Sequence, residues 1–188
     1  MKFTTYSAAL AILATMAFAA SASATSVTTS TGGAAATPAI HAVNENGHIF
    51  FENAWITVPC SSTLEGDIES HGAGLPASGA IDHLTFTGCT NSWHVTTINP
   101  GSFSITHTSG HNGTLVSNGA RIEMTRFGIK CVYETNNTHL GTLTGGNPAT
   151  LHIDAFLLLD EDVSSGLCDL AAAWFADYVT TSALYPAP

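Results

Sequence analysis

From Ile49 onward, apolar and polar positions alternate mostly with a period of two, which places successive side chains on opposite faces of an extended strand. Ile49, Phe51, Trp55 and Thr57 fall in a segment rich in aromatic and β-branched residues that ends at Pro59. Leu64 to Ile68 reads as a short, polar connection. The run Ala80–Thr87 sets Leu84 and Phe86 on the face opposite Ile81 and His83. Trp93–Ile98 and Phe103–Thr106 follow, separated by Asn99-Pro100-Gly101, a turn signal because proline fixes one backbone angle and glycine tolerates the next. Leu115-Val116, Ile122–Met124 and Ile129–Tyr133 continue the series. Asn112-Gly113 and Asn118-Gly119 sit between runs, where both residues of a type I′ hairpin turn can take positive φ. Leu151, Ile153, Ala155, Leu157 and Leu159 then line one face of the longest apolar stretch. A last strand through Trp174, Ala176, Tyr178 and Thr180 is preferred to a helical turn over Leu170–Phe175, with Tyr185 near a proline-rich end.

Strands recurring about every eight to twelve residues, with turn residues between, predict an antiparallel sandwich or barrel. The expected architecture is an all-β domain over residues 44–188, an antiparallel β-sandwich of jelly-roll or Greek-key type. Residues 25–43 are mostly Ser, Thr, Ala and Gly, with little surface to bury against the entropy of ordering, so a flexible arm is expected there. Residues 1–24 read as a signal peptide: Lys2 precedes an apolar, small-residue run from Ala8 to Ala20, and Ser21 to Ala24 offers small-x-small cleavage sites. The run is too short and alanine-rich to hold a bilayer span. No integral membrane segment is then expected after cleavage, and the protein is expected in the periplasm, on the cell surface or outside the cell.

Charge narrows the partners. The 188 residues carry 14 Asp and Glu against 4 Lys and Arg, a net charge of −10. Beyond the leader, only Arg121, Arg126 and Lys130 remain basic. No cationic track exists for nucleic-acid phosphates, and charge alone would not hold the chain to anionic lipid.

Four cysteines, Cys60, Cys89, Cys131 and Cys168, are an even number, and in an exported chain they suggest two disulfides. Three connectivities are open. Cys60–Cys89 with Cys131–Cys168 is favoured, since each bridge then closes one half of the chain. None of the cysteines stands at the C-x₂₋₄-C spacing of structural zinc.

The strings Val58-Pro59-Cys60, Thr85-Phe86-Thr87-Gly88-Cys89, Cys131-Val132-Tyr133, Leu140–Gly146, Ala149–Ala155, Gly166-Leu167-Cys168, Tyr178-Val179-Thr180 and Leu184-Tyr185 stand in an order that resembles a group of secreted bacterial proteins. That group, mostly of unknown function, includes the Pra-type proteins, described as activators of alkane oxidation and linked with the cell surface and biofilm. The resemblance covers about Ile56 to Tyr185. It implies export, a β-rich fold and paired cysteines, and it carries over no catalytic residue. The many histidines and Asp160-Glu161-Asp162 depart from the group.

Candidate chemistry is sparse. Nine histidines invite a metal hypothesis; His152 and Asp154 would share one strand face as a first ligand pair. His107 and His111 flank a turn, and His83 and His94 belong to neighbouring segments, but three convergent ligands are needed. No G-x-S-x-G elbow appears, and oxidised cysteines offer no thiolate. Glu65 with Glu123 could be chosen as a glycosidase pair, a chemistry that only their separation in space decides. Asp160–Asp162 lacks the order of an EF-hand calcium loop, and the sequons at Asn112 and Asn136 read as turns. Trp55, Trp93 and Trp174 read as core. No cofactor is expected. The function expected is that of a secreted or surface-exposed structural or adhesive protein, self-associating through strand edges or its N-terminal arm. The alternatives are an extracellular binding module for a small hydrophobic ligand or glycan, and a secreted hydrolase.

Overall fold

The computed structural model describes residues 25–44, 49–52, 57–71 and 75–188. The expected signal peptide, residues 1–24, and Trp55 lie outside the described residues. Among the described residues every regular element is a strand: β1 (Ser26–Thr28), β2 (Ala39–Asn44), β3 (Ile49–Glu52), β4 (Thr57–Glu69), β5 (Ala77–Thr87), β6 (His94–Asn99), β7 (Ser102–His107), β8 (Asn112–Asn118), β9 (Arg121–Arg126), β10 (Ile129–Glu134), β11 (Thr138–Thr144), β12 (Thr150–Leu159), β13 (Ala171–Thr180) and β14 (Tyr185–Ala187). All pairings are antiparallel.

Several of these strands are halves of longer ones. β2 and β3 run end to end between β4 and β13, Ala39 opposite Asp67 and Glu52 opposite Thr57. In the same way β6 continues into β7, β8 into β9 and β10 into β11. The sheet then consists of eight long wall strands in chain order, and the last, β13, pairs back to the first. An even number of antiparallel strands can close in this way. The molecule is therefore an up-and-down eight-stranded barrel rather than two stacked sheets. The expected all-β, antiparallel, doubly disulfide-bonded domain is observed; the sandwich is replaced by closure.

The turn signals at Pro100-Gly101 and Asn118-Gly119 do not reverse the chain. They mark a belt of kinks crossing neighbouring strands. Gly119 N–H donates to the Thr135 carbonyl, Thr135 N–H to that of Ala120, and Ala120 N–H to Thr135 Oγ1, at 2.8–2.9 Å. Gly101 sits at φ 75°, and a Cβ there would collide with the Ala120 backbone, so the crossing needs glycine. Above the belt the wall is looser: β5 and β6 share no ladder and are joined by Thr97 Oγ1 donating to the Leu84 carbonyl.

Inward positions are apolar, with Leu64 and Ile68 on β4, Leu151, Ile153, Ala155 and Leu157 on β12, and Trp174, Ala176 and Tyr178 on β13. Outward positions are largely polar, as at Glu65, Asp67, Thr142, His152 and Asp154. This is the reverse of a barrel embedded in lipid, whose outer band is apolar. The stretch from Leu64 to Ile68, expected as a connection, belongs to the longest strand. The expected opposition of Ile81 and Leu84 also fails. A bulge at Glu65/Gly66 sets Glu65 opposite His83 and Gly66 opposite Ile81, so one extra residue, Asp82, turns both apolar side chains inward.

Residues 25–43 are not a free arm. β2 is part of the wall, and β1 pairs with β14, Val27 opposite Pro186. Val27 and Leu184 are fully buried. Thr25 donates its amide to the Leu75 carbonyl and accepts at Oγ1 from His107 N–H. The terminal ribbon covers the barrel end that carries the β4–β5, β7–β8 and β11–β12 loops. Small side chains made this stretch look unable to order itself; packed into an existing barrel end, a few buried residues suffice.

The opposite end holds both disulfides, Cys60–Cys89 and Cys131–Cys168, the connectivity favoured from the sequence. Such bonds belong to oxidising compartments. Among the described residues no helix is long and apolar enough to cross a membrane.

Candidate functional site

The interior beside the kinked belt is closely packed among the described residues. A cavity of about 30 Å³, lined by residues including Leu64, Leu84, Phe103, Leu151, Trp174 and Tyr178, lies beside the kinked belt. It has room for about one water rather than a ligand of several carbons. Tyr178 is fully buried and donates to Ser62 Oγ at 2.8 Å. Burial pushes its phenol well above the ordinary tyrosine range, because the interior cannot solvate the phenolate, while the Ser62 bond acts the other way.

The residues singled out from the sequence are scattered over the outer wall. His152 and Asp154 do share the outer face of β12, but His152 Nδ1 meets Asp177 Oδ1 on β13 at 2.6 Å, and Asp154 stands opposite Phe175. His41 meets Glu65 at 3.5 Å, in register across β2 and β4. Glu123 faces Lys130 instead of Glu65. His107 Nε2 lies 3.0 Å from the Gly110 carbonyl, and His111 stands edge-on to Tyr185. Asp160 is taken by Arg121, which also reaches Glu134 at 3.5 Å. Among the described residues no group of three His, Cys, Asp or Glu converges on a metal position. Trp93 and Trp174 are core, as read.

One contact of a catalytic kind was not legible. His71 Nε2 lies 2.5 Å from Ser78 Oγ across the β4–β5 hairpin, and Ser78 edges an outer groove of about 300 Å³ with Ser102, Ser104, Asn118 and Asn137. No motif spacing signals it, since seven residues around a hairpin bring together any two side chains. His71 makes no ion pair with a carboxylate among the described residues, so the third member of a triad is not supplied.

Several large apolar side chains are exposed, among them Val43 on β2 and Ile98 on β6, and they are most concentrated, among the described residues, on and after β12. Phe156 and Leu158, on the outer face of β12, are 65% and 56% exposed. Leu158 is in register with Ala171, whereas Leu170, whose carbonyl accepts from Leu159 N–H at 2.9 Å, edges a groove of about 290 Å³ together with Leu159. Leu170 and Leu167 are 71% and 79% exposed. All four lie on or beside the loop between β12 and β13, which is held against β10. Asp160 N–H donates to the Val132 carbonyl, Ser165 N–H to that of Lys130, and Cys168 is bonded to Cys131. Phe127, 81% exposed at the β9–β10 tip under the Arg126 guanidinium, lies at the same end of the barrel. Alternation on β12 does not reveal this exposure, because the same pattern describes a strand covered on both faces.

Against this geometry stands a bare comparison. No protein-family model, curated protein or solved structure matches the chain. The exposed apolar side chains, the groove at Ser78 and the small cavity are therefore weighed on their own chemistry. Among the described residues the end of β12 and the loop after it gather the most large exposed apolar side chains, and exposed apolar patches mark interaction surfaces.

Proposed function

We propose that this is a secreted or surface-exposed protein of structural or adhesive type, with no catalytic role, that engages its target through the outside of a closed barrel. The exposed set Phe156, Leu158, Leu167 and Leu170 carries the reading. Four large side chains left in water forgo several kcal/mol of burial, at about 25 cal/mol per Å², a cost that a partner surface would recover. Export is supported by the two disulfides and by the leader-like residues 1–24. The cavity beside the belt, about 30 Å³, is too small to hold a hydrophobic molecule of several carbons. Attachment through a free N-terminal arm loses its support, because β1 and β2 are paired within the chain.

Attachment of cells that display the protein to an apolar surface tests the reading. Leu158→Ser with Leu170→Ser should abolish most of it while leaving the amount displayed unchanged. Undiminished attachment would overturn the proposal.

The His71–Ser78 contact favours a second reading, a hydrolase with Ser78 as nucleophile and His71 as base. Labelling of Ser78 by a fluorophosphonate, lost in His71→Ala, would establish it. An unlabelled wild-type protein would remove it.

A further inference from the structure

Lys and Arg occur at three of the described positions, and two of these side chains meet carboxylates. Arg121 holds Asp160 and Glu134, and Lys130 faces Glu123. Arg126 has neither an ion pair nor a hydrogen bond from its side chain among the described residues, in a chain with 14 acidic residues. Its guanidinium lies instead over two rings, 4.7 Å from the centroid of Phe127 and 5.8 Å from that of Trp93. Such contacts hold the fork in place without using its N–H donors. Arg126 Nε and Trp93 Nε1 are both buried without a partner among the described residues. Arg126 lies on the side of β9 that Ile122 and Met124 turn inward, at the rim of the barrel end that carries both disulfides.

The turn beneath the guanidinium is not the one that stability alone would choose. Arg126 stands opposite Ile129, so β9 and β10 are joined by Phe127-Gly128 alone, at φ 50° and 82°. Two positive φ values make a type I′ reversal, whose first position favours Asn, Asp or Gly. Phenylalanine is strained there, and strain of that kind collects at functional positions. Its ring is 81% exposed, so the core does not gain from it. We infer that Arg126 and Phe127 form a receptor for a single carboxylate carried on an apolar body. The fork can bond both carboxylate oxygens side by side, and the apolar body lies against the Phe127 ring. A net charge of −10 opposes a polyanion, whose repulsion grows with its length, far more than it opposes one negative group. A free small acid and the C-terminus of another polypeptide present the same group. The inference goes beyond the adhesive reading and does not rest on it.

The test uses the full chain with both disulfides, isotope-labelled for NMR, and follows the Nε–H signals of Arg121 and Arg126 and the Gly128 amide. Phenylbutyrate should shift the Arg126 and Gly128 signals saturably, with a Kd of about 1 mM or tighter, and leave Arg121 unmoved. Phenylbutanol, which lacks the charge, should shift none of them. Arg126→Gln should weaken binding at Gly128 by about tenfold or more. Phe127→Asn should also weaken it, yet raise the midpoint of urea unfolding, because asparagine suits the turn. A less stable Phe127→Asn variant that binds as the wild type does would show a structural ring and overturn the inference. So would an Arg126 signal that phenylbutyrate leaves in place, or one that inorganic sulfate shifts at equal concentration. An acetylated leucine–phenylalanine dipeptide separates the sources. Binding tighter than phenylbutyrate and lost on amidation supports a polypeptide C-terminus, and phenylbutyrate binding alone supports a small acid. Leu158→Ser with Leu170→Ser should bind phenylbutyrate normally, so the adhesive reading and this site can fail separately.

Discussion

At the scale of single residues, the interior depends on a few polar groups that have found each other. Tyr178 and Ser62 bond in a buried position. Tyr178→Phe strands the serine hydroxyl and should cost about 1–2 kcal/mol near neutral pH. The same residue sets a pH window. Its folded-state pKa is raised by burial, so its contribution is complete below the unfolded value of about 10 and drains away as pH rises beyond it, where the unfolded phenol ionises and the folded one does not. Urea melts should show wild-type stability falling above about pH 10, and falling less in Tyr178→Phe. Legibility at this scale was uneven. Trp174, Ala176, Tyr178 and Thr180 alternate cleanly, and all four point inward. Ile81 and Leu84 defeat the same reasoning because a bulge inserts Asp82 between them, and a strict period cannot contain an extra residue. Gly141 marks a second irregularity: it sits at φ 146° where β11 shifts register, and a Cβ there would collide with the His152 carbonyl.

Elements were legible as strands but not as halves of strands. Asn99-Pro100-Gly101 and Asn118-Gly119 carry the residues of reversing turns, and local chemistry cannot distinguish a reversal from a kink when both need positive φ. The partner strand decides: Gly119 and Ala120 bond to Thr135 on the next wall strand, and the chain goes on in its original direction. The loop between β12 and β13 shows what a disulfide does for an element with no ladder of its own. Cys131–Cys168 closes a span of 37 residues and should stabilise by about 3–4 kcal/mol on chain-entropy grounds. Replacing both cysteines by serine should lower the unfolding free energy by about that amount. It should also raise hydrogen exchange at the Ser165 and Asp160 amides, while the β4–β5 ladder stays protected. Exchange unchanged in the loop would mean that the Ser164 and Ser165 bonds to β10 hold it alone.

The described residues form a ring with a mainly apolar interior and a mainly polar outside, covered at one end by β1 and β14. Fold class and cysteine pairing could be read from the chain; closure could not, because it depends on pairing between the first and last wall strands, which no local pattern encodes. The exposed apolar side chains of β12 were hidden for the related reason that a sequence shows alternation without saying which face meets water. Deleting residues 25–28 should uncover the end that β1 and β14 protect. Burial of Val27 alone is worth about 1.5–3 kcal/mol, so a fall in melting temperature of several degrees is expected, with the barrel still formed and the oligomeric state unchanged. Aggregation or assembly lost on that deletion would instead return a self-associating role to the segment. Pairing of β2 with β13 also bears on how the chain comes to be folded at all. The first wall strand has no second neighbour until the eighth has been made, so a growing chain has no completed fragment in which to rest. Closure of the barrel therefore waits on the last strand, and the complete wall forms only when the whole chain from β2 to β13 is free to pair.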